Sequence, residues 1–436
     1  MFFTYINLVS AKIKYGMVVD AGSGGSRCHF FSWDSAANPP NVAPLTKPDG
    51  SAIYLELDDM KLASAAKDES MISKIFDPFI KLAVQSIPSS SISKARMFVY
   101  ATAGMRLLGL AEQERIINKT YKYLHEKAPF KVKPHYVRVI NGCEEGIFAW
   151  LSVNHLQGLF QSKTETQGAM DVGGASMQIA LQITDLINDK PTNIVKVGSK
   201  SIPIFSHSYL GYGVNEASAT IIRAIQAVSN NETILNPCFP KDYNGIVHGV
   251  NLTGTGNFEQ CSSLIEKILL KHSAFSSILL PKLSDTHYWT GISTLYYINS
   301  YLSLSENSTL FELKNQLIDF CSTKYGSKPD KYSKNKYTHN YCMSGIFHYI
   351  LLSKGFKFPE DKRIIRKLDR AGGAELSWAP GAMVYNVADI EIEDVPAISW
   401  TILIAGNLIG ICIILPLYTV IVHNKRAPRY IPSSSL

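Results

Sequence analysis

Two short stretches of this chain join a carboxylate to a glycine-rich turn, and they are nearly the same phrase. The first reads Val18-Val19-Asp20-Ala21-Gly22-Ser23-Gly24-Gly25-Ser26, the second Met170-Asp171-Val172-Gly173-Gly174-Ala175-Ser176. In each, an apolar run leads to Asp, then to a Gly/Ser turn, then to a second apolar run (Cys28 to Trp33; Met177 to Leu181). That order predicts a β-hairpin with a carboxylate at its lip. Glycine lets a ligand approach the backbone closely, and successive N–H groups in a turn form a concave anion site. Two such hairpins could hold a polyphosphate between them. Ser23, Gly24, Gly25 and Ser26 would cradle it from one side, Gly173, Gly174 and Ala175 from the other. Asp20 and Asp171 would reach a bridging metal.

Two further stretches lie between the hairpins. Tyr100-Ala101-Thr102-Ala103-Gly104-Met105-Arg106 leaves an apolar strand, then offers a hydroxyl, a glycine and an arginine. Thr102 could bond a phosphate and Arg106 could neutralise one; equally, Thr102 could cap a helix and Arg106 could lie on a solvated face. Asn141-Gly142-Cys143-Glu144-Glu145-Gly146 places two carboxylates at a helix start. Such residues commonly complement the helix dipole, a role that suits Glu144. Successive helix residues point about 100° apart, so Glu145 must do something else.

In order, DAGSGGSR, ATAGMRLL, GCEEGIFAWLSVN, MDVGGASMQIA and SHSYLGYGVNEA resemble the five apyrase motifs of the ecto-nucleoside triphosphate diphosphohydrolases, the membrane apyrases. The resemblance runs from Tyr15 through the C-terminal apolar segment and includes Asn236-Pro237-Cys238, Thr253 to Phe258, and Ser377-Trp378-Ala379-Pro380-Gly381. It implies a duplicated, two-lobed α/β fold of the actin, ribonuclease H-like (ASKHA) kind. It implies metal-dependent hydrolysis of nucleoside di- and triphosphates to monophosphate and phosphate. Glu145 matches the base that takes a proton from the attacking water, and Ser176 and Gln178 match the residues that orient that water. Asp20 and Asp171 would hold Ca²⁺ or Mg²⁺, mainly through its water ligands. Tyr296 matches an aromatic near the nucleobase, although helix-spaced tyrosines also serve as core. Ser-Gly-Gly-Ser-Arg after the first Asp, Gly-Thr-Gly-Asn-Phe and Gly355 to Pro359 look like the Golgi and lysosomal branch. That likeness implies a preference for UDP and GDP in the secretory lumen, in support of glycosylation; a cell-surface apyrase acting on extracellular ATP and ADP is the alternative. Met177 departs from the pattern, where Thr is usual, and Cys143 stands where Gln or Lys is common.

The elements that must position these residues read as mixed strands and helices in two halves. Strands are expected at Gly16–Asp20, His29–Trp33, Met97–Ala101, Tyr136–Ile140 and Gly168–Val172. Helices are expected near 69–87, 111–126, 214–228, 258–271, 291–304, 310–325 and 342–354. We take 1–15 as a short apolar segment, a truncated signal or anchor. Lobe I is 16–140, completed by about 365–390, and lobe II is 141–364. Residues 397–422 carry no charge and are long enough to span a bilayer. Basic residues follow in 423–436, so the positive-inside rule places this tail in the cytoplasm and the body in a lumen or outside the cell. The expected setting is a Golgi or other secretory membrane, with the plasma membrane as alternative.

The 436 residues exceed one core, and the charge of +7 suits an anionic substrate without the basic–aromatic runs that nucleic acid needs. No nucleic-acid partner is expected, and homo-oligomerisation is left open. Six cysteines lie in the body, four of them as local pairs, Cys238/Cys261 and Cys321/Cys342. Bridged, each pair would contribute roughly 3 kcal/mol; reduced, they would be ordinary buried thiols. The pairing of Cys28 and Cys143 is open. Sequons occur at Asn118, Asn231, Asn251 and Asn307. A Rossmann dehydrogenase would need Gly-x-Gly-x-x-Gly opening a helix; here Gly22-Ser23-Gly24 is followed by Arg27 at the third glycine position, and by a strand rather than a helix. A serine hydrolase would need Gly-x-Ser-x-Gly, which Ser23 does not supply. A sugar kinase shares the fold but not the Glu-Glu-Gly helix or the anchor. A non-catalytic actin-like protein would tolerate loss of Glu145 or Gln178, and both are present.

Overall fold

Strand β1 (Ile13–Ala21) is buried over most of its length, and its side chains alternate between two cores. It forms an antiparallel hairpin with β2 (Gly25–Asp34). Strands β3 (Ala43–Pro44) and β4 (Tyr54–Asp58) both pair with β2. On the other edge of β1 lie β5 (Arg96–Ala101) and then β6 (Val137–Val139), both parallel. The computed structural model describes residues 13–36, 41–162, 164–183, 192–198, 200–270, 287–327 and 337–393. The expected N-terminal signal, the span at 397–422, the tail at 423–436 and Cys412 lie outside them. Among the described residues no helix is long and apolar enough to cross a membrane.

The second sheet repeats the first. The hairpin is β7 (Gly168–Val172) with β8 (Ser176–Gln182). Strands β9 (Thr192–Val197) and β10 (Lys200–Leu210) extend it antiparallel, β10 lying on β8. A small separate sheet holds β11 (Ile234–Asn236), β12 (Asn244–Val247) and β13 (Val250–Gly254). Then β14 (Trp289–Ser293) lies parallel to β7, and β15 (Ile365–Lys367) parallel to β14. A short hairpin, β16 (Arg370–Ala371) and β17 (Ala374–Glu375), follows. The repetition extends to register. Asp20 lies opposite Arg27 as Asp171 lies opposite Gln178. Each turn closes with one bond, Gly22 N–H to the Gly25 carbonyl (2.9 Å) and Gly173 N–H to the Ser176 carbonyl (3.0 Å).

The first half carries α1 (Met71–Ser86), the short α2 (Ser89–Ile92) and α3 (Ala103–Arg106), α4 (Leu110–Lys127) and α5 (Gly142–Leu156). The second half carries α6 (Val214–Gln226), α7 (Phe258–Ile265), α8 (Thr294–Tyr301), α9 (Leu310–Ser322), α10 (Tyr341–Ile350) and α11 (Trp378–Glu393). Met17, Val19 and Ala21 face α1 and α4 on one side of the first sheet. Met170 and Val172 face α6, α7, α9 and α10 on the far side of the second. The opposite faces, with Val18 and Ala169, meet in a shared core around α5 and α11. Side chains alternate along a strand, so Asp20 and Asp171, the next residues of the inward-facing series, point to the space between the sheets. The crossing of α5 and α11 is tight: a Cβ on Gly381 would fall 1.9 Å from the Phe148 carbonyl oxygen, and Gly381 N–H donates to Ser152 Oγ (2.6 Å).

The helix expected over 291–304 is corrected. Trp289–Ser293 is a strand in the middle of the second sheet, and only Thr294–Tyr301 is helical. An apolar run buried on both faces carries no period that separates strand from helix. Both disulfides, Cys238–Cys261 and Cys321–Cys342, are formed, and Cys28 and Cys143 are free.

Candidate active site

Helix α5 starts with a capping box. The Asn141 side chain accepts from Glu144 N–H (2.8 Å), and Glu144 accepts in return from Asn141 N–H (3.1 Å). Arg138 donates to both Glu144 oxygens (3.0 and 2.8 Å). Glu144 thus finishes the helix end. One residue on, Glu145 is buried and turned inward. Two glycines bring it there. A Cβ on Gly142 would lie 2.2 Å from Ser208 Cβ, and one on Gly146 would lie 2.4 Å from Ser206 Oγ. Without side chains at these positions, α5 presses onto β10 and delivers Glu145 to the second hairpin.

Around Glu145 stand the groups that hold it. Arg106 Nη2 donates to Glu145 Oε2 (2.8 Å) and to Ser176 Oγ (3.2 Å), while Nη1 donates to the Ile140 carbonyl (3.0 Å). The Gln178 amide nitrogen lies 3.2 Å from Glu145 Oε2, 2.7 Å from Ser176 Oγ and 2.9 Å from Ser208 Oγ. An amide nitrogen carries two hydrogens, so it serves two of these three at a time. Burial pushes the Glu145 carboxyl up to about 7 against the pull of Arg106, and Asp171 adds to the rise. A carboxylate poised there is a competent base near neutrality.

The two turns face each other across a cleft of about 550 Å³. A Cβ on Gly174 would meet Ser23 Oγ at 2.9 Å, so the turn tips are close neighbours. Gly104 packs on the Ser23 backbone, where a Cβ would lie 3.1 Å from its Cα. In the second turn every carbonyl is consumed by the segment after β10: Gly211, Val214 and Asn215 N–H groups donate to Ala175, Gly173 and Gly174. Among the described residues the N–H groups of Ser23, Gly24, Gly174 and Ala175 have no intramolecular acceptor. These are the amides available to an anion.

Most of the expected site residues gather here, and four do not. Asp20, Ser23, Gly24, Thr102, Glu145, Asp171, Gly173, Gly174, Ala175 and Ser176 line the cleft, with Gln178 buried directly behind. Ser26 is turned away and donates to the Met60 carbonyl (2.7 Å). Gly25 sits in the β2–β4 pairing, where a Cβ would strike the Leu57 carbonyl at 2.5 Å. Arg106 lies beside the cleft and not on its lining, its guanidinium donating to Glu145, Ser176 and the Ile140 carbonyl. Tyr297, not Tyr296, lines the cleft, together with Tyr337 and Tyr341.

A sequence profile of the GDA1/CD39 (nucleoside phosphatase) family matches residues 7–399. The chain belongs to this family. It is 28% identical over 420 residues to ectonucleoside triphosphate diphosphohydrolase 8 of Gallus gallus, covering 85% of this chain and 82% of that one. It is 26% identical over 417 residues to a probable apyrase 5 of Arabidopsis thaliana, covering 86% and 83%. Among solved structures, the nucleoside triphosphate hydrolases from Neospora caninum superpose with a TM-score of 0.63 at 14% identity, over 86% of this chain and 92% of that one. The Ppx/GppA family member of Aquifex aeolicus superposes with 0.51 at 13% identity, over 88% and 100%. The two likenesses show that the duplicated fold is common to these proteins. Membership makes the chain a nucleoside phosphatase.

The wall of this cleft is markedly acidic. Among the described residues six carboxylates line the cleft (Asp20, Glu56, Asp58, Glu145, Asp171, Glu375) beside a single arginine, Arg27. Burial pushes the Asp20 carboxyl up to about 7; Arg27 opposes this, and Glu145, Asp171 and Glu375 add to it. Arg27 itself is held by Glu56 at 2.6 Å and reaches Asp20 at only 3.9 Å. Asp20 Oδ1 is buried with no hydrogen-bond partner. Hard oxygen donors and one orphaned carboxylate oxygen fit a divalent cation such as Mg²⁺ or Ca²⁺. Among the described residues no cluster of three or more His, Cys, Asp or Glu side chains is built to enclose an ion.

Sequence reasoning missed Glu56, Asp58, Asn215, Ser293, Thr294 and Glu375. Thr294 was within reach of it. The strand β5 that precedes Thr102 and the strand β14 that precedes Thr294 hold equivalent registers on the two hairpins. Extending the repeat by one more strand identifies it. Glu56 and Glu375 arrive from short edge strands that carry no motif.

Proposed function

We propose that the protein hydrolyses nucleoside di- and triphosphates, with Glu145 as the base that takes a proton from the attacking water. The observation that supports this reading is the placement of the buried Glu145 carboxylate beside Ser176, between two turns whose amides are free for phosphate. Ser176 and Gln178 hold the water in line with the terminal phosphorus. The water oxygen forms a bond to that phosphorus, the bond to the bridging oxygen breaks, and Glu145 receives the proton. The amides of Ser23, Gly24, Gly174 and Ala175 with the Thr102 hydroxyl stabilise charge on the non-bridging oxygens. Asp20 and Asp171 would hold a Mg²⁺ or Ca²⁺ ion largely through water, and the ion would offset the acidic cleft wall and the charge on the phosphates. Repulsion between that wall and a free nucleotide anion is the physical reason for the requirement.

The preference proposed is for UDP and GDP, on the likeness of Gly24-Gly25-Ser26-Arg27 and Thr253 to Phe258 to the Golgi and lysosomal branch. The proposed setting is a secretory-pathway membrane with the body in the lumen, anchored by 397–422. Phosphate release from UDP, GDP, ADP, UTP and ATP with Mg²⁺ or Ca²⁺, and after chelation, tests these points together. Glu145→Gln should lower the rate by about 10²–10⁴-fold. Equal release by the variant and the wild type removes Glu145 from the role of base. ATP outpacing UDP by a wide margin overturns the preference and favours the extracellular ATP/ADP alternative.

A further inference from the structure

The small sheet of β11, β12 and β13 lies away from the cleft lining, and one of its faces is open. His248 and Gly249 both have positive φ (51° and 78°), the pattern of a two-residue type I′ turn joining β12 to β13. That turn fixes the register: Val247 pairs with Val250, Ile246 with Asn251 and Asn244 with Thr253. Val247, Val250 and Leu252 are buried, as is Ile234, the β11 partner of Leu252. Side chains alternate along a strand, so Leu235, Asn244, Ile246, Asn251 and Thr253 share the opposite face. Leu235 is 66% exposed and Ile246 71%, and none of the five is charged. Strand β13 is the middle one, which puts Asn251 between the two bare apolar side chains. In such a hairpin the pair next to the closing pair is the one without backbone bonds, where side chains approach closest. Here it is Ile246 with Asn251.

Asn251-Leu252-Thr253 is a sequon, the acceptor pattern for N-linked sugar. The other three sequons are placed differently. Thr120 and Ser308, the hydroxyl residues that follow Asn118 and Asn307, are buried. Asn231 lies in the connection between α6 and β11. At Asn251 the asparagine and the threonine both point outward from a strand, and Thr253 Oγ1 donates to Asn244 Oδ1 (2.6 Å) on the same face.

We propose that Asn251 carries an N-linked glycan whose first sugars lie over Ile246 and Leu235. The proposal rests on the lumenal placement of the body put forward above. The donor is a lipid diphosphate-linked oligosaccharide. The Asn251 amide nitrogen bonds to C1 of its first N-acetylglucosamine, the bond from C1 to the diphosphate oxygen breaks, the lipid diphosphate leaves, and the amide gives up one proton. The C–H face of the sugar then removes apolar side-chain area from water. An occupant tethered in the middle of the patch covers it without the loss of freedom that a separate partner pays on binding. None of these residues lines the cleft, so nucleotide hydrolysis should not change in Asn251→Gln.

The test uses the full-length chain purified from eukaryotic cells. Peptide N-glycosidase in heavy-oxygen water turns each glycosylated Asn into a labelled Asp, which mass spectrometry assigns by residue. Asn251 should be labelled. Release at Asn251 from the native protein should be about tenfold slower in the wild type than in the double variant Leu235→Gln/Ile246→Gln, and after denaturation the two should not differ. Equal native rates overturn the covering of the apolar pair. Glycan at other sequons with Asn251 bare overturns the site while the lumenal placement stands. A bare Asn251 together with a dimer that the double variant dissociates assigns the face to a second copy of this chain instead. If no sequon is labelled, the lumenal placement falls and this proposal with it.

Discussion

At the scale of single residues, Arg106 changes the account of the site. Its place after Thr102-Ala103-Gly104 invited a phosphate ligand, but the guanidinium spends its donors on Glu145, Ser176 and the Ile140 carbonyl. Burial raises the Glu145 carboxyl to about 7, and Arg106 is what keeps it from rising further. The base must be ionised to accept a proton, so kcat/KM should fall as pH drops through about 7. Removing the cation raises the carboxyl again. Arg106→Met should therefore move the acid limb of the kcat/KM profile up by about one unit or more. At pH 9 the variant should regain a larger share of wild-type activity than at pH 7. A profile measured from pH 5.5 to 9.5 decides it. A uniform loss at every pH, with the limb unmoved, would return Arg106 to the phosphates.

At the scale of elements, the glycines of α5 set how far Glu145 reaches. Gly146 leaves room for Ser206 Oγ, which donates to the Cys143 carbonyl (2.9 Å). Gly146→Ala would place a Cβ 2.4 Å from that oxygen. It should destabilise the protein by about 1–3 kcal/mol and lower kcat by tilting Glu145 away from Gln178. Ser206→Ala removes the obstructing atom; the next neighbour of the added Cβ is then Gln178 Cβ at 3.5 Å, an ordinary contact. The double variant should recover most of the loss in both Tm and kcat, despite forgoing one hydrogen bond. Purely additive losses would show that the glycine matters for some other reason. This element also marks how much was legible in the sequence. Both hairpins, the separate tasks of Glu144 and Glu145, and the two local cysteine pairs could be read from spacing and residue type. Tyr297, Ser293, Glu56 and Glu375 could not. Each reaches the cleft through a tertiary turn: a central strand with no period of its own, or an edge strand brought in by the sheet. The placement of Ser26 and Gly25 was equally hidden, because the pairing of β2 with β4 decides it, and β4 carries no signal tied to the hairpin.

At the scale of the molecule, the two halves meet through one helix pair, and the geometry of the cleft depends on it. The inward faces of both sheets share their core around α5 and α11. The Tyr100 hydroxyl donates to Asn386 (3.0 Å), so the strand that leads to Thr102 is tied to α11 as well. At the crossing, Gly381 sits against the Phe148 carbonyl and the Ser152 amide with no room for a methyl group. Opening this crossing by even an ångström would separate turns whose tips, Ser23 and Gly174, are now in contact range. Gly381→Ala should therefore act at a distance. It should lower Tm by a few degrees through overpacking and reduce kcat/KM by tenfold or more, since phosphate must be grasped from both turns at once. The substitution meets α5 at Phe148, Leu151 and Ser152, about one to two turns beyond Glu145, so the local bonds of Glu145 should remain and the pH at which the acid limb falls should not change. That unchanged limb separates it from Arg106→Met. Measuring Tm and the pH profile on the same preparation tests the claim. A fall in Tm with kcat/KM intact would mean that the helix pair only braces the fold and that the two phosphate turns hold their spacing by other contacts.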